Sequence, residues 1–355
     1  MKRPLVGSRC DRPATVAVIR QIRRLTRAVP LAGPGAEAIA VYAAPISAEE
    51  SQPDHLQAAR EDGYEGVACV DDAARGVVLY CGLWRRRRDP STREAARRLL
   101  RFLAYMQDED GRFANFILDW SGQKNLTGRT SRPGGSQWQA RALHALACGA
   151  TTFGDDEFEE RFQRGARWVD DFIPYLDVRS VCVLAAMEHW RATRSSSSAD
   201  RALTWAEEIS GQTNGDRLLN AAGDETIHLW GHLQETALAQ TGLALSRPDF
   251  VESARASAVA LLLPAVKERL PYGSALPFDV SCIASGLTAV ASAVGDGRFF
   301  DAASEARAWF LGRNAGGAPV YDEVRGLVYD GIDDGRISRN SGAEANIEGA
   351  LALLV

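Results

Sequence analysis

Several carboxylates stand just ahead of apolar, helix-like runs: Asp71 and Asp72 in GVACVDDAAR, Asp119 in FILDWSG, Glu225 in AAGDETIH, Asp279 in LPFDVSC and Glu344 in SGAEANIE. Two carboxyl groups flanking one bond, one a proton donor and the other a base or nucleophile, are what glycoside hydrolysis requires. Asp71 and Asp72 are consecutive, so on a helix they point different ways and one of them faces a cavity. Asp72 and Glu344 are read as the catalytic pair, with Asp71 and Asp119 as further candidates. Each acid also has a structural role open to it, because a carboxylate at a helix start caps free N–H groups and complements the helix dipole.

The same stretches carry aromatics. Tyr64, Trp120, Trp138 and Trp230 sit beside the acids and are candidates to stack on pyranose C–H faces. The other tryptophans lie within helical segments and are read as core. Asp279 and His228 are read as substrate-binding groups. His228 and His232 are four apart with Glu225 and Glu235 nearby, a spacing that places two ligands on one helix face. The H-E-x-x-H order is missing, so no metal is assigned. No phosphate-binding glycine loop occurs, and no cofactor is expected.

Elements that could bring these residues together follow from periodicity. Apolar residues recur at helical spacing in about twelve segments, interrupted by Gly, Pro and Asp. One set is amphipathic with a wet face: roughly 14–29, 92–108, 157–172, 199–211, 249–268 and 298–312. The other is apolar nearly all round: roughly 69–84, 136–149, 178–192, 229–244, 279–294 and 343–354. Wet and dry helices alternate, which predicts an all-α (α/α)6 toroid, an inner ring of helices inside an outer ring. Residues 38–42 and 113–118 are strand candidates, so minor strands are expected in the loops. Every inner helix would run the same way, so the loops entering them would share one rim, and a ligand site is expected there. The last helix, 343–354, must pack near the first pair to close the ring.

Length and composition agree with this reading. A chain of 355 residues suggests two domains by size alone, but six helical hairpins account for the length as one toroid over 1–355. Residues 1–60 would hold one outer helix and an extended connection. The net charge of −5 provides no footprint for nucleic acid. No apolar run of membrane-spanning length is expected, and the N-terminus has no apolar signal core, so no membrane partner is assigned. The cysteines (Cys10, Cys69, Cys81, Cys148, Cys182 and Cys282) form no C-x-x-C pair. They read as buried thiols of a reducing, cytoplasmic setting. The run Arg85–Arg88 reads as a solvated helix C-terminus.

Beyond these patterns, GYEGVACVDDAARGVVLY resembles the HGYCxDDNARAL signature of bacterial toroid domains often fused behind glycosyltransferases. GRFANFILDW is similar to their GRFxNFMxYD segment. The stretch WFLGRNAGGAPVYDEVRGLVYDGI, followed by NSGAEANIEGALALL, resembles their WFLGxNxxGxPLYDxxTGxxxDGL and NQGAESTxxxLLAL ending. The resemblance runs in order from about residue 63 to the C-terminus. It implies the six-hairpin glycosidase superfamily, carbohydrate chemistry and a carbohydrate substrate. It also carries over Asp71, Asp72, Arg75, Asn115, Asp119, Arg141, Asn340 and Glu344 as site residues. One departure matters. Where the group has SEDSHGRALWAL, this chain has GSQWQARALHAL, with Ser136 and Gln137 in place of the two acids; Gln137 is then read as a substrate contact.

The expected activity is hydrolysis of an oligo- or polysaccharide by direct attack of water with inversion. An epimerase or lyase on the same toroid would rely on His144, His228 or His232 for proton transfer at carbon. A glycan-binding protein without catalysis is the third reading, favoured by the missing acids at 136 and 137.

Overall fold

The computed structural model describes residues 18–44, 55–169, 175–268 and 274–354. In chain order the helices are α1 (Arg20–Leu25), α2 (Val70–Arg87), α3 (Pro90–Met106), α4 (Ser136–Phe153), α5 (Asp156–Gly165), α6 (Leu176–Thr193), α7 (Ser196–Ser210), α8 (Gln234–Leu245), α9 (Pro248–Ser257), α10 (Leu263–Lys267), α11 (Pro277–Val294), α12 (Gly297–Ala308) and α13 (Ala343–Leu354). A π-helical stretch, Ala258–Leu262, joins α9 to α10 as one arm.

Packing separates them into two rings. Helices α2, α4, α6, α8, α11 and α13 each pack on the next, and α13 returns to α2. Each also pairs with an outer helix: α2 with α3, α4 with α5, α6 with α7, α8 with α9, α11 with α12, and α13 with α1. The chain therefore closes by joining its last inner helix to its first outer one, as ring closure requires. This is the (α/α)6 toroid that the alternation of dry and wet helices predicts.

Burial follows the same division. On α6 both faces are buried, from Leu176 through Met187, whereas α5 buries only Phe158, Phe162 and Gly165. One apolar cluster runs from Val18 to Leu354, and a small satellite of Val41, Ala59, Cys69 and Phe116 lies under the β-segments. Close approach between rings uses Gly76, where a Cβ would sit 2.8 Å from Leu99 Cδ1. Local chemistry sets the helix ends. Asp89 and Asp296 cap α3 and α12 through the N–H groups of Ser91 and Arg298. Arg88 and Gly154 end α2 and α4 in the left-handed conformation.

Three expectations need correction. The first outer helix is not continuous over 14–29: residues 14–17 fall outside the described residues, and α1 stops at Leu25. There the Thr26 hydroxyl donates to the Ile22 carbonyl, and Thr26–Ala28 turns into a strand paired antiparallel with Glu37–Ile39. The inner segment expected at 229–244 begins only at Gln234, because Gly231 adopts φ +74° and breaks the helix ahead of it. His228 and His232 therefore share no helix face. Lastly, α11 is by length and composition apolar enough to cross a membrane, yet most of its surface is buried within the ring. Its apolarity is that of a core helix.

Short antiparallel pairs bridge the rim loops. Ala68–Cys69 pairs with Phe116–Ile117, and Ser274–Ala275 joins Ile332–Asp333 and Arg336–Ile337. Cys69, Cys81, Cys148, Cys182 and Cys282 are free and buried; Cys10 lies outside the described residues. Of the arginine run, Arg85 pairs with Glu188, and Arg86 donates to the Leu354 carbonyl at the end of α13.

Candidate active site

All six inner helices start at the same rim, and the N-terminal ends of five of them, with the segment ahead of α8, enclose a cavity of about 270 Å³. The lining is charged on one side and apolar on the other. Asp71 and Arg75 come from α2, Gln137 and Arg141 from α4, Asp177, Val178 and Val181 from α6, and Glu344 from α13. Trp230 and Gly231, before α8, and Leu276 and Phe278, at α11, complete the wall.

Arg75 is the hub. It is one turn into α2, so its side chain is buried while its guanidinium reaches the mouth. Nη1 lies 2.7 Å from Glu344 Oε2 and 3.2 Å from Asp72 Oδ1. Nη2 lies 3.3 Å from Asp71 Oδ2, and Nε 3.3 Å from Glu348 Oε1. Arg141 adds a second cation, its Nε 2.7 Å from Asp71 Oδ1. Both guanidinium groups lie over the Phe278 ring, at 4.6 and 5.0 Å from its centroid. Four carboxylates around two arginines make a dense charge cluster whose members cannot all be solvated.

The consecutive acids divide their roles by direction, as a helix requires. Asp71 faces the cavity. Asp72 is 4% exposed and turns inward, where the Cys69 thiol donates to its Oδ2 at 3.2 Å. Burial pushes Asp72 up to about 7 against the pull of Arg75, with Asp71 and Glu344 adding to the rise. Glu348, equally buried, is also raised by burial.

Asp177 is a lining acid that sequence reading did not single out. It occupies the first turn of α6, accepts from the Val178 N–H at 2.7 Å, and is raised by burial. Its only signal in the sequence is the short loop LDVRS ahead of an apolar helix, two residues after Tyr175. His228 Nε2 lies 3.8 Å from Asp177 Oδ2. Burial lowers His228, against the opposing effects of the Trp230 carbonyl and Asp177. The Nδ1–H of His228 donates to the Trp230 carbonyl at 2.8 Å, and the two rings stack at 3.7 Å and 9°. Trp230 is 40% exposed, so the stack presents a flat ring to the mouth.

Below this stack His232 is buried, with Nε2 3.1 Å from Glu235 Oε1, which also accepts from the Ser257 hydroxyl at 2.6 Å. His232 Nδ1, Gln234 Oε1 and Glu235 Oε2 are buried without a hydrogen-bond partner. Among the described residues no three His, Cys, Asp or Glu side chains are grouped to hold a metal ion. His144 is on α4 and does not line the cavity; burial lowers it to about 4.

Of the residues singled out from sequence, Asp71, Arg75, Gln137, Arg141, Trp230 and Glu344 line the cavity. Asp279 lies just behind it, in the first turn of α11: its Oδ2 accepts from the N–H of the N-cap residue Leu276 at 2.6 Å, the return bond of a capping box, and burial raises it to about 6. Asn115 supports the start of α2, its Oδ1 accepting from the Asp71 N–H at 3.3 Å. The others are placed elsewhere. Trp138 turns into the wall, where its Nε1 donates to the Phe113 carbonyl at 2.8 Å. Trp120 packs against the core. Asp119 is held in a turn by the N–H and hydroxyl of Ser121, which lower it. Tyr64 donates to the Leu118 carbonyl at 2.9 Å under Arg60. Asn340 is exposed, and its carbonyl accepts from the Asp330 N–H. Packing and loop hydrogen bonds occupy these side chains, so the three tryptophans do not form one stacking wall.

Comparison with solved structures places this architecture. A D-mannose isomerase superposes with a TM-score of 0.69 at 11% identity, covering 98% of each chain. A sugar epimerase from a ruminal bacterium gives 0.68 at 12% identity, covering 96% of each. An inactive variant of an α-1,6-mannanase of Salegentibacter sp. HEL1_6, in complex with α-1,6-mannotriose, gives 0.62 at 9% identity, again over 96% of each. At these identities the likeness is one of fold, and that fold is the (α/α)6 toroid expected from the resemblance to six-hairpin glycosidases. No protein-family model and no curated protein matches the chain.

Proposed function

We propose that the cavity hydrolyses a glycosidic bond in an oligo- or polysaccharide, with Asp177 as the acid and Glu344 as the base. The observation that carries this reading is their placement. Asp177 opens α6 and Glu344 opens α13, and two inner helices lie between them either way round the ring. Both line the same cavity. Opposite walls leave room for a sugar and a water between the carboxyl groups, the arrangement of inverting enzymes. Burial favours the protonated form of Asp177. Glu344 is held through Oε2 by Arg75, leaving Oε1 for a water; the side chain is 43% exposed. In the step, water attacks the anomeric carbon and loses a proton to Glu344. The carbon–oxygen bond breaks, and the leaving oxygen takes the proton of Asp177. This replaces Asp72 by Asp177 in the expected pair, because Asp72 is enclosed behind Arg75. Trp230 supplies a stacking face, and both oxygens of Asp71 are taken up in orienting Arg75 and Arg141. The test is incubation with a broad panel of glycosides, following released sugar and its anomeric form by NMR. Release that disappears in both Asp177→Asn and Glu344→Gln supports the reading; unchanged release in either variant overturns it.

A second reading has its own observation in favour. His228 is 30% exposed, stacks on the cavity-lining Trp230 and places its Nε2 3.8 Å from the cavity acid Asp177, while burial lowers it. Such a histidine suits proton transfer at a sugar carbon, as epimerisation or aldose–ketose isomerisation needs. Deuterium from heavy water appearing on carbon in recovered substrate would select this reading over hydrolysis.

A further inference from the structure

We infer that the protein carries a second saccharide-binding site, outside the catalytic cavity, in the hollow between the Tyr321–Asp322 hairpin and Arg339. The hollow measures about 400 Å³ and is lined by Leu311, Pro319, Tyr321, Asp322, Glu323, Tyr329 and Arg339. Three features give it binding character. First, its frame is rigid. Tyr321–Asp322 pairs with Leu327–Val328, and α1 clamps the turn from behind: Arg20 donates to the Val324 carbonyl, and Arg24 to that of Arg325. Asp322 is fixed as well, accepting from the Arg325 N–H at 3.0 Å and the Tyr329 hydroxyl at 3.2 Å.

Second, its polar groups keep spare hydrogen-bonding capacity. The Arg339 guanidinium lies 5.0 Å over the Tyr329 ring, and no ion pair joins it to a carboxylate among the described residues. Glu323 lines the same hollow and is likewise outside any ion pair. A free planar donor and a free acceptor facing one hollow match the vicinal hydroxyls of a sugar.

Third, the edge is apolar. Leu311 is 62% exposed beside the half-buried ring of Tyr321. An apolar edge with an aromatic ring, Arg and carboxylates is the mixture that takes a pyranose. The segment from Tyr329 to Arg339 also runs into α13, so the site lies on the stretch that delivers Glu344. An occupant there is a part of the same glycan remote from the bond being cut.

The choice of a sugar as ligand rests on the proposed carbohydrate function, but the experiment separates the two. Glu344→Gln is used as background, and linear hexasaccharides of cellulose, chitin, xylan, mannan and amylose are titrated by calorimetry. Binding of one of them at two sites is expected, falling to one site in Arg339→Ala and in Tyr321→Ala. On wild-type Glu344, the same changes should raise KM for the polymer at least several-fold and leave turnover of a small aryl glycoside unchanged. A single site in background and variants alike overturns the inference, as does a hexasaccharide panel that binds nowhere but the cavity. Two-site binding without turnover in the wild type would retain this site and reject the hydrolase reading.

Discussion

Arg75 and Glu344 are 269 residues apart in sequence, yet Nη1 and Oε2 approach to 2.7 Å. This contact joins the first inner helix to the last and is where the ring closes at the rim of the cavity. A single guanidinium thus does two jobs. It holds the start of α13 against α2, and it fixes the carboxylate assigned as base.

Removing that cation should cost stability in a pH-dependent way. Arg75→Ala leaves Asp72 and Glu348 buried without their cation. Breaking a buried pair from one side costs about 3–5 kcal/mol. The loss should be smaller at pH 5, where the abandoned carboxyls can stay protonated, than at pH 8. Thermal denaturation at both pH values checks this. An equal loss at both would show that packing of the arginine stem, and not charge, is what was removed.

Asp72 should leave a signature in the stability curve. Its folded pKa of about 7 stands above the ordinary carboxylate value of 3.8. Below that range both folded and unfolded forms are protonated. Between the two values the unfolded chain has released a proton that the folded chain keeps. Stability therefore falls as pH rises from about 4 to about 7, by at most roughly 1.4 kcal/mol per pH unit for this one group. Asp72→Asn cannot ionise, so its stability relative to wild type should improve steadily from pH 4.5 to 7.5. A constant difference across that range would refute the assignment.

Activity should report Asp177 through its leaving group. A general acid contributes about 10²–10⁴-fold to the rate. Asp177→Asn should lose that much on natural glycosides and far less on an aryl glycoside whose phenolate leaves unaided. In the wild type the basic limb of kcat/KM should lie above the normal aspartate range, since activity is lost as the acid deprotonates. A variant equally impaired on both substrates would place Asp177 outside the proton transfer.

The two rim tryptophans should separate cleanly. Trp138 is buried with its indole N–H satisfied, so Trp138→Ala should cost about 3–5 kcal/mol of stability and unfold part of the α4 wall. Trp230 is exposed at the mouth. Trp230→Ala should leave the melting temperature within a degree or two and raise KM roughly tenfold. Calorimetry and steady-state kinetics on the same preparations decide it; reversed phenotypes would mean that Trp138, and not Trp230, meets the substrate.

What was legible in the sequence was periodic or local. Helical alternation of dry and wet segments is enforced by burial along each helix, so it survives in the linear chain and specifies six hairpins, a shared rim and closure of 343–354 on the start. Asp71 and Asp72 were legible as a helix-start pair of which one faces the cavity, because successive helix positions diverge by fixed geometry. The site itself was legible only in part. Which acid faces which depends on where opposite helices stand in the ring, and no local pattern encodes that. Asp177 therefore passed unnoticed, although it lies across the cavity from Glu344. Gly231 ended the helix expected at 229–244 through one backbone angle and thereby separated His228 from His232. Trp138 and Trp230 look alike as rim tryptophans in sequence; the Phe113 carbonyl draws one into the wall, and the His228 ring holds the other at the mouth. Local order follows from side-chain pattern, but the charge cluster, the raised acids and the cavity exist only where distant first turns are brought within a few ångströms.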